Sequence, residues 1–287
     1  VSRRILGIVG DATFDYYLDI AGVQAADEKV VPVSTRRTLG GTGANAAVVA
    51  RGLGSEVRLH SVVGDDAIGA WILAALRERD LCTENVRVVP GPSPMATVIR
   101  SDERTVIVDI GVGIRSGGVD LDELRRCALI YVSYSPHTVV RLVADAQGDR
   151  TVVGLEAWML EQPGLRTALD DCRLVVANEA AVQSLTESGT LPKTALVCTR
   201  GAAGATLHQD GTVTGIPPYP VMAVDATGAG DCFAATLCHY IVEGRSLTTA
   251  ARFAAVAAAL STLRVGLNHA PATAAEIEDL ATKAAPA

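Results

Sequence analysis

The chain has 287 residues, of which 49% are hydrophobic and 20% charged, enough to bury the core of one large α/β domain or two small ones. A formal net charge of -7 argues against a nucleic-acid binder, because phosphate backbones demand clustered Lys and Arg. A small anionic substrate stays compatible with that charge through a local site.

The first ten residues hold a short apolar stretch with no cleavage site, and read as a strand over 5–9 rather than a signal peptide. Gly10-Asp-Ala-Thr-Phe-Asp15 follows at once, which puts Asp11 and Asp15 where α/β sheets hold ligands, at the carboxyl end of a strand. A carboxylate there can accept two sugar hydroxyls; the plainer reading is a solvated turn. Residues 16–38 then alternate β-type side chains with turn signals and contain no helical pattern. Leu39-Gly-Gly-Thr-Gly-Ala-Asn-Ala-Ala47 leads into a helix over 44–53, closed by Gly54.

A strand over 57–63 and a helix over 67–79 precede a second helix-free stretch, 86–110, in which 96–100 and 104–108 flank Asp102-Glu103 as a hairpin. Together 16–38 and 86–110 form a small antiparallel sheet projecting from the main domain. Such a flap can cover a substrate and exclude water, or present a face for a homodimer. Beyond it, strands over 129–133, 151–155, 174–176 and 195–198 alternate with helices over 138–146 and 180–187, the signature of a mostly parallel sheet covered on both faces. A hairpin of 205–208 and 213–216 turns at Asp210-Gly211. Helices over 232–243, 248–263 and 274–282 close the chain. The most apolar stretch, 250–263, is too short to cross a bilayer and carries Arg252. Six cysteines are scattered without Cys-x-x-Cys pairs or metal spacing, as in the core of a protein from a reducing compartment; the reading is cytoplasmic, with no membrane partner.

The chemistry concentrates in Asp225-Ala-Thr-Gly-Ala-Gly-Asp231, directly before the helix over 232–243. Small residues let the backbone lie against a ligand, and the opening helix offers unpaired amides and the positive end of its dipole, a cradle for a phosphoryl group. Asp231 beside a phosphate needs a purpose, such as taking a proton from an attacking hydroxyl; an N-cap is the bland alternative. Gly41-Thr-Gly43-Ala-Asn-Ala46 also matches the dinucleotide fingerprint of nicotinamide or flavin enzymes. It follows a polar segment instead of a first buried strand, however, and no acidic residue ends a second strand about twenty residues on. Asn45 more naturally points at a hydroxylated ligand, with helix capping as its alternative.

These three motifs, in this order and spanning essentially the whole chain, resemble the ribokinase-like (PfkB-type) carbohydrate kinase family. The resemblance implies a three-layer α/β/α sandwich with a mostly parallel sheet and a small β-sheet lid, forming a single kinase domain over 1–287. It implies transfer of the ATP γ-phosphate to a hydroxyl of a sugar or nucleoside, with Mg2+. Carried over by motif, Asp231 is the base and the amides of Gly228, Ala229 and Gly230 form the anion hole. Asp15, Gly41 and Asn45 bind substrate hydroxyls, and Asn178 stands on the nucleotide side. Cys198-Thr-Arg-Gly-Ala-Ala-Gly204 matches the nucleotide loop through Thr199, Gly201 and Gly204. Asp225 and Thr227 resemble part of a monovalent-cation (K+) site. One departure stands out: the family's Asn-x-x-Glu is here Asn178-Glu179-Ala180-Ala181, with Glu179 displaced by two residues and so rotated roughly 200° around a helix. Tyr134 stands where some sugar kinases place a carboxylate, and Phe14, Tyr16 and Tyr17 crowd the first loop, available to stack on a sugar or a base or simply to pack the lid. The rival readings are a nucleoside kinase, a kinase-fold protein that binds without turnover, and, more distantly, a nicotinamide oxidoreductase.

Overall fold

The computed structural model describes residues 4–22, 29–101, 104–114, 119–187, 189, 191–267 and 270–283. Nine strands form the main sheet: β1 (Ile5–Val9), β4 (Glu56–Gly64), β5 (Val86–Val89), β8 (Leu129–Ser133), β9 (Thr151–Leu155), β10 (Leu174–Asn178), β11 (Ala195–Thr199), β12 (Ala205–Gln209) and β13 (Thr212–Ile216). Their order is β13-β12-β11-β10-β9-β8-β1-β4-β5. All pairs from β11 to β5 are parallel, and the β12–β13 hairpin adds antiparallel to β11.

Both faces of this sheet are covered, as near-continuous apolar strands require. Side chains alternate along each strand, so Leu6 and Ile8 of β1 join one core while Ile5 and Val9 join the other. The first core takes α1 (Thr42–Gly52), α2 (Ala67–Arg77), α7 (Ala229–Val242), α8 (Leu247–Ser261) and α9 (Ala274–Lys283). The second takes α3 (Leu121–Arg125), α4 (Pro136–Ala144), α5 (Leu165–Asp170) and α6 (Glu179–Glu187). The result is the expected three-layer sandwich. Helices α3 and α5 escape a periodicity reading because they are barely a turn or two long. Only the Asp120 carboxylate, accepting from the amides of Asp122 and Glu123, marks the start of α3.

A second sheet of four strands, ordered β3-β2-β6-β7, stands apart from the first. It contains β2 (Thr13–Asp19), β3 (Ser34–Gly40), β6 (Met95–Arg100) and β7 (Arg104–Asp109). The sheet is not wholly antiparallel as expected, because its central pair β2–β6 is parallel while β2–β3 and β6–β7 are antiparallel, and the expected lid segment 86–110 needs correction at its start. Val86–Val89 pairs in parallel with β4, Ser61 opposite Val86, and forms the edge of the main sheet. Val86 is buried in the first core; a short β-branched run suits either sheet, and only burial decides between them. The Asp102-Glu103 turn lies outside the described residues.

Candidate active site

The start of α1 is seated on the β1–β2 loop by close backbone contacts that only glycine permits. Gly41, the N-cap of α1, has φ 90°, and a β-carbon there would strike the Asp11 carbonyl. Gly43 lies directly on the backbone of Gly10 at the end of β1, and a β-carbon on Gly40 would overlap the carboxylate of Asp15. The glycine cluster therefore seats the start of α1 against the β1–β2 loop and leaves room for Asp15, whose Oδ1 accepts a 2.6 Å bond from the Thr13 hydroxyl. Asp11 serves the scaffold: its Oδ1 accepts from the Ile114 amide at 2.8 Å, and its carbonyl from the Ala44 amide. The fingerprint-like glycines follow β3, a lid strand, which removes the structural context of a dinucleotide site.

Helix α1 carries Ala44, Ala46, Ala47, Val48, Val49 and Ala50 in the core, and α7 answers with Ala234, Ala235 and Cys238. Small side chains let two helices approach closely, and this interface brings Asn45 to Asp231 across 186 positions of sequence: the Asn45 Nδ2 donates to Asp231 Oδ2 at 2.8 Å. Asn45 is therefore not a helix cap, since α1 has no side-chain capping bond. Asp231 is not a cap either. The N-cap of α7 is Gly228, with φ 78°, and Asp231 is the third helical residue, so the helix begins three residues ahead of the expected start.

Burial raises the Asp231 carboxyl to about 7; the Asn45 bond opposes that rise, and the charges of Glu156 and Asp15 add to it. A carboxyl poised there is matched to general-base work near neutrality. In the turn before α7, the Ala229 amide donates to the Ala226 carbonyl at 3.2 Å. Gly230 and Asp231, the next two residues, sit where a helix supplies no acceptor four residues back.

Two concavities meet at this loop. An apolar groove of about 480 Å³ is lined by Thr199, Gly201, Gly204, Tyr219, Phe233 and Ala258, among others, and reaches Gly230. On the far side of Gly230 opens a polar cleft bordered by Asp231, Glu156, Asn178, Tyr134 and, again, Thr199. Nothing within 4 Å would meet a β-carbon on Gly230, so this glycine is open toward the space between the two. Gly204, at φ 83°, is tight against the Ile216 carbonyl and shapes the turn between β11 and β12, while Gly201 faces open space.

Other expected residues serve the frame. Asp225 Oδ1 accepts from the amide and hydroxyl of Thr227, at 2.9 and 2.5 Å, and its Oδ2 accepts from the Gly266 amide at 3.2 Å; the carboxylate staples the anion loop to the segment after α8. Asn178 Oδ1 accepts from the Ala181 amide at 2.9 Å and starts α6. Ala181 itself is fully buried in the second core.

Glu156 escaped the sequence reading. It follows β9, lies in the same cleft, hydrogen-bonds Asn178, and has its carboxyl raised by burial. A carboxylate directly after a predicted strand was the available signal. Tyr134, after β8, is held at φ 56°, a strained conformation for an aromatic residue, with its ring edge-on to Trp158 at 5.5 Å. Phe14 instead packs the lid root against Trp71.

The chain matches the pfkB family of carbohydrate kinases over residues 6–274. It is 27% identical over 291 residues to the ribokinase of Bacillus subtilis (strain 168), covering 96% of this chain and 99% of that protein. It is 27% identical over 290 residues to the ATP-dependent ribose-1-phosphate kinase of Halopiger xanaduensis, covering 93% and 95%. The solved structure of Arabidopsis thaliana ribokinase complexed with ribose and ATP matches with a TM-score of 0.83 at 22% identity, covering 96% of this chain and 98% of that one, a likeness of fold. With the motifs in order, the sandwich and lid in place and the match running nearly end to end, the chain belongs to the pfkB family of carbohydrate kinases.

Proposed function

We propose that this protein is an ATP-dependent kinase that moves the γ-phosphate onto a hydroxyl of a small sugar or sugar-like acceptor. The observation that carries the reading is the shared wall at Gly230: a nucleotide-sized apolar groove and a polar cleft meet there, with Asp231 on the cleft side. The adenine end of ATP lies in the groove, its phosphates run past Thr199 and Gly201 toward the start of α7, and the acceptor rests between Asp15 and Asp231. Asp231 takes the proton of the attacking hydroxyl while Asn45 fixes its carboxylate, and the Gly228–Gly230 turn and the dipole of α7 stabilise charge on the moving phosphoryl group. Closure of the four-stranded lid excludes water.

The donor set of the cleft fits Mg2+. That ion is ordinarily held by one or two carboxylates together with substrate phosphates, and Glu156, hydrogen-bonded to Asn178, is the carboxylate this chain offers in place of the one absent at Ala181. Magnesium bound there would neutralise phosphate charge. Asp225 and Thr227 remain the proposed neighbourhood of a K+ ion, read as stronger turnover in potassium than in choline salts. ATP use, and cysteines that are all free among the described residues, fit a cytoplasmic enzyme. A nucleoside acceptor is the second reading, favoured by the Tyr134–Trp158 pair beside the cleft. The deciding experiment is ADP release over a panel of sugars and nucleosides with wild-type protein and Asp231→Asn. Wild-type turnover that disappears in the variant supports the reading; undiminished turnover in the variant removes Asp231 from it.

A further inference from the structure

The inner face of the lid carries more positive charge than a neutral sugar needs. In the register of β2 with β3, Asp15 stands opposite Thr38, Tyr17 opposite Arg36 and Asp19 opposite Ser34; in that of β2 with β6, Tyr17 stands opposite Val98 and Asp19 opposite Arg100. Because side chains alternate across a sheet, Asp15, Tyr17, Asp19, Arg36 and Arg100 project from the same face, and Asp15 is near enough to Asp231 for their charges to interact. The Tyr17 ring is buried, with the Arg36 guanidinium 4.6 Å and the Arg100 guanidinium 5.7 Å from its centre.

The two cations are not equally satisfied. Arg100 Nε donates to Asp19 at 2.6 Å, and Arg100 also feels the charge of Asp225 in the turn before α7. Arg36 reaches the charge of that same Asp19 without a hydrogen bond to it, and its Nε and Nη2 are buried with no hydrogen-bond partner. Buried N–H groups of a charged side chain left without acceptors are costly, and a guanidinium fork is matched by a phosphate or carboxylate. Sugar hydroxyls can accept a bond but bring no charge. Tyr17 lies two residues beyond Asp15, about 7 Å along the strand, so a group at Arg36 is one small-sugar length from hydroxyls held at Asp15.

Resting on the kinase reading above, we propose that the acceptor is a sugar monophosphate, and that its existing phosphate is bound by Arg36, with Arg100 beside it, at the end of the molecule remote from the hydroxyl that attacks ATP. Two phosphates then enter the reaction on different molecules: one held by the lid and unchanged, the other transferred at Gly230.

The test compares ribose with ribose 5-phosphate, fructose with fructose 6-phosphate, and ribonate as a sugar acid. ADP release is measured alongside calorimetric binding of each acceptor without ATP, for wild type, Arg36→Met and Arg36→Lys, each first shown to melt as wild type does. The expected result is a kcat/KM for a sugar phosphate on the order of 100-fold above its parent sugar, lost mainly through KM in Arg36→Met and partly restored in Arg36→Lys. A parent sugar used as well as its phosphate ester, or Arg36→Met binding the ester as tightly as wild type, overturns the proposal and leaves the kinase reading standing. Preference for ribonate over both overturns the phosphate assignment. Calorimetric binding of a sugar phosphate that needs Arg36, without ADP release, supports the lid site while removing the kinase reading.

Discussion

As the proposed base, Asp231 would join two demands that pull in opposite directions, ionisation for proton abstraction and burial that resists it. Its raised folded-state pKa means that the native protein holds a proton there which the unfolded chain has released once pH exceeds the ordinary carboxyl range. The contribution of this group to stability is thus fully present below that range and is lost as pH rises toward about 7. Two outcomes follow for one substitution. Asp231→Asn should lower kcat by about 10²–10⁴-fold with little change in KM, and it should raise the melting temperature relative to wild type at pH 8 but not at pH 3, where wild-type Asp231 is protonated in both states. In the wild-type enzyme kcat/KM should rise with pH through an acid limb near 7, measurable as a pH–rate profile. Gly40→Ala sets a steric test of Asp15: the added methyl overlaps the carboxylate, so acceptor KM should rise by more than about tenfold while calorimetric ATP binding stays at the wild-type value.

Among the elements, α1 and α7 do what neither does alone. Their small-residue faces bring Asn45 and Asp231 within a hydrogen bond, and the Gly10–Gly43 contact fixes where α1 starts. Gly43→Ala forces backbone against backbone, with no flexible side chain to yield. It should destabilise the protein by about 1–3 kcal/mol in urea unfolding and lower turnover by separating Asn45 from Asp231. The lid strand β7 shows a different economy. It is an outer strand of its sheet, and Val106, Ile107 and Val108 are all exposed. An apolar edge of this kind invites pairing, and a homodimer through the lid would use it. Sedimentation should give two chains for wild type and one for Ile107→Lys.

For the whole molecule, the four-stranded sheet is joined to the nine-stranded sandwich at its root, through Leu39 in the first core, Phe14 against Trp71 and the bond from the Ile114 amide to Asp11. Substrate bound between them should draw the lid inward. Amide exchange over Met95–Arg100 and Arg104–Asp109 should slow when a non-hydrolysable ATP analogue and the acceptor are added together, and less with either alone. Glu156 borders the cleft beside Asn178 and is the proposed Mg2+ carboxylate. Glu156→Gln should weaken Mn2+ binding in the presence of nucleotide, followed by electron paramagnetic resonance, as well as raise the Mg2+ concentration needed for half-maximal rate.

Local pattern determined most of the architecture. Strands such as Ile5–Val9, Leu129–Ser133 and Thr151–Leu155 are uninterrupted apolar runs bounded by turn residues, and the glycine clusters before α1 and α7 mark close backbone approach wherever they are read. Tertiary structure alone decided what depends on partners distant in sequence. It assigned Val86–Val89 to the main sheet, joined Asn45, expected at a ligand hydroxyl, to Asp231, bonded the Asp225 carboxylate within its own loop, and brought Glu156 beside Asn178. The physical reason is that periodicity encodes which face of an element is buried, whereas the pKa of a carboxyl or the partner of an amide is set by whatever the fold carries next to it.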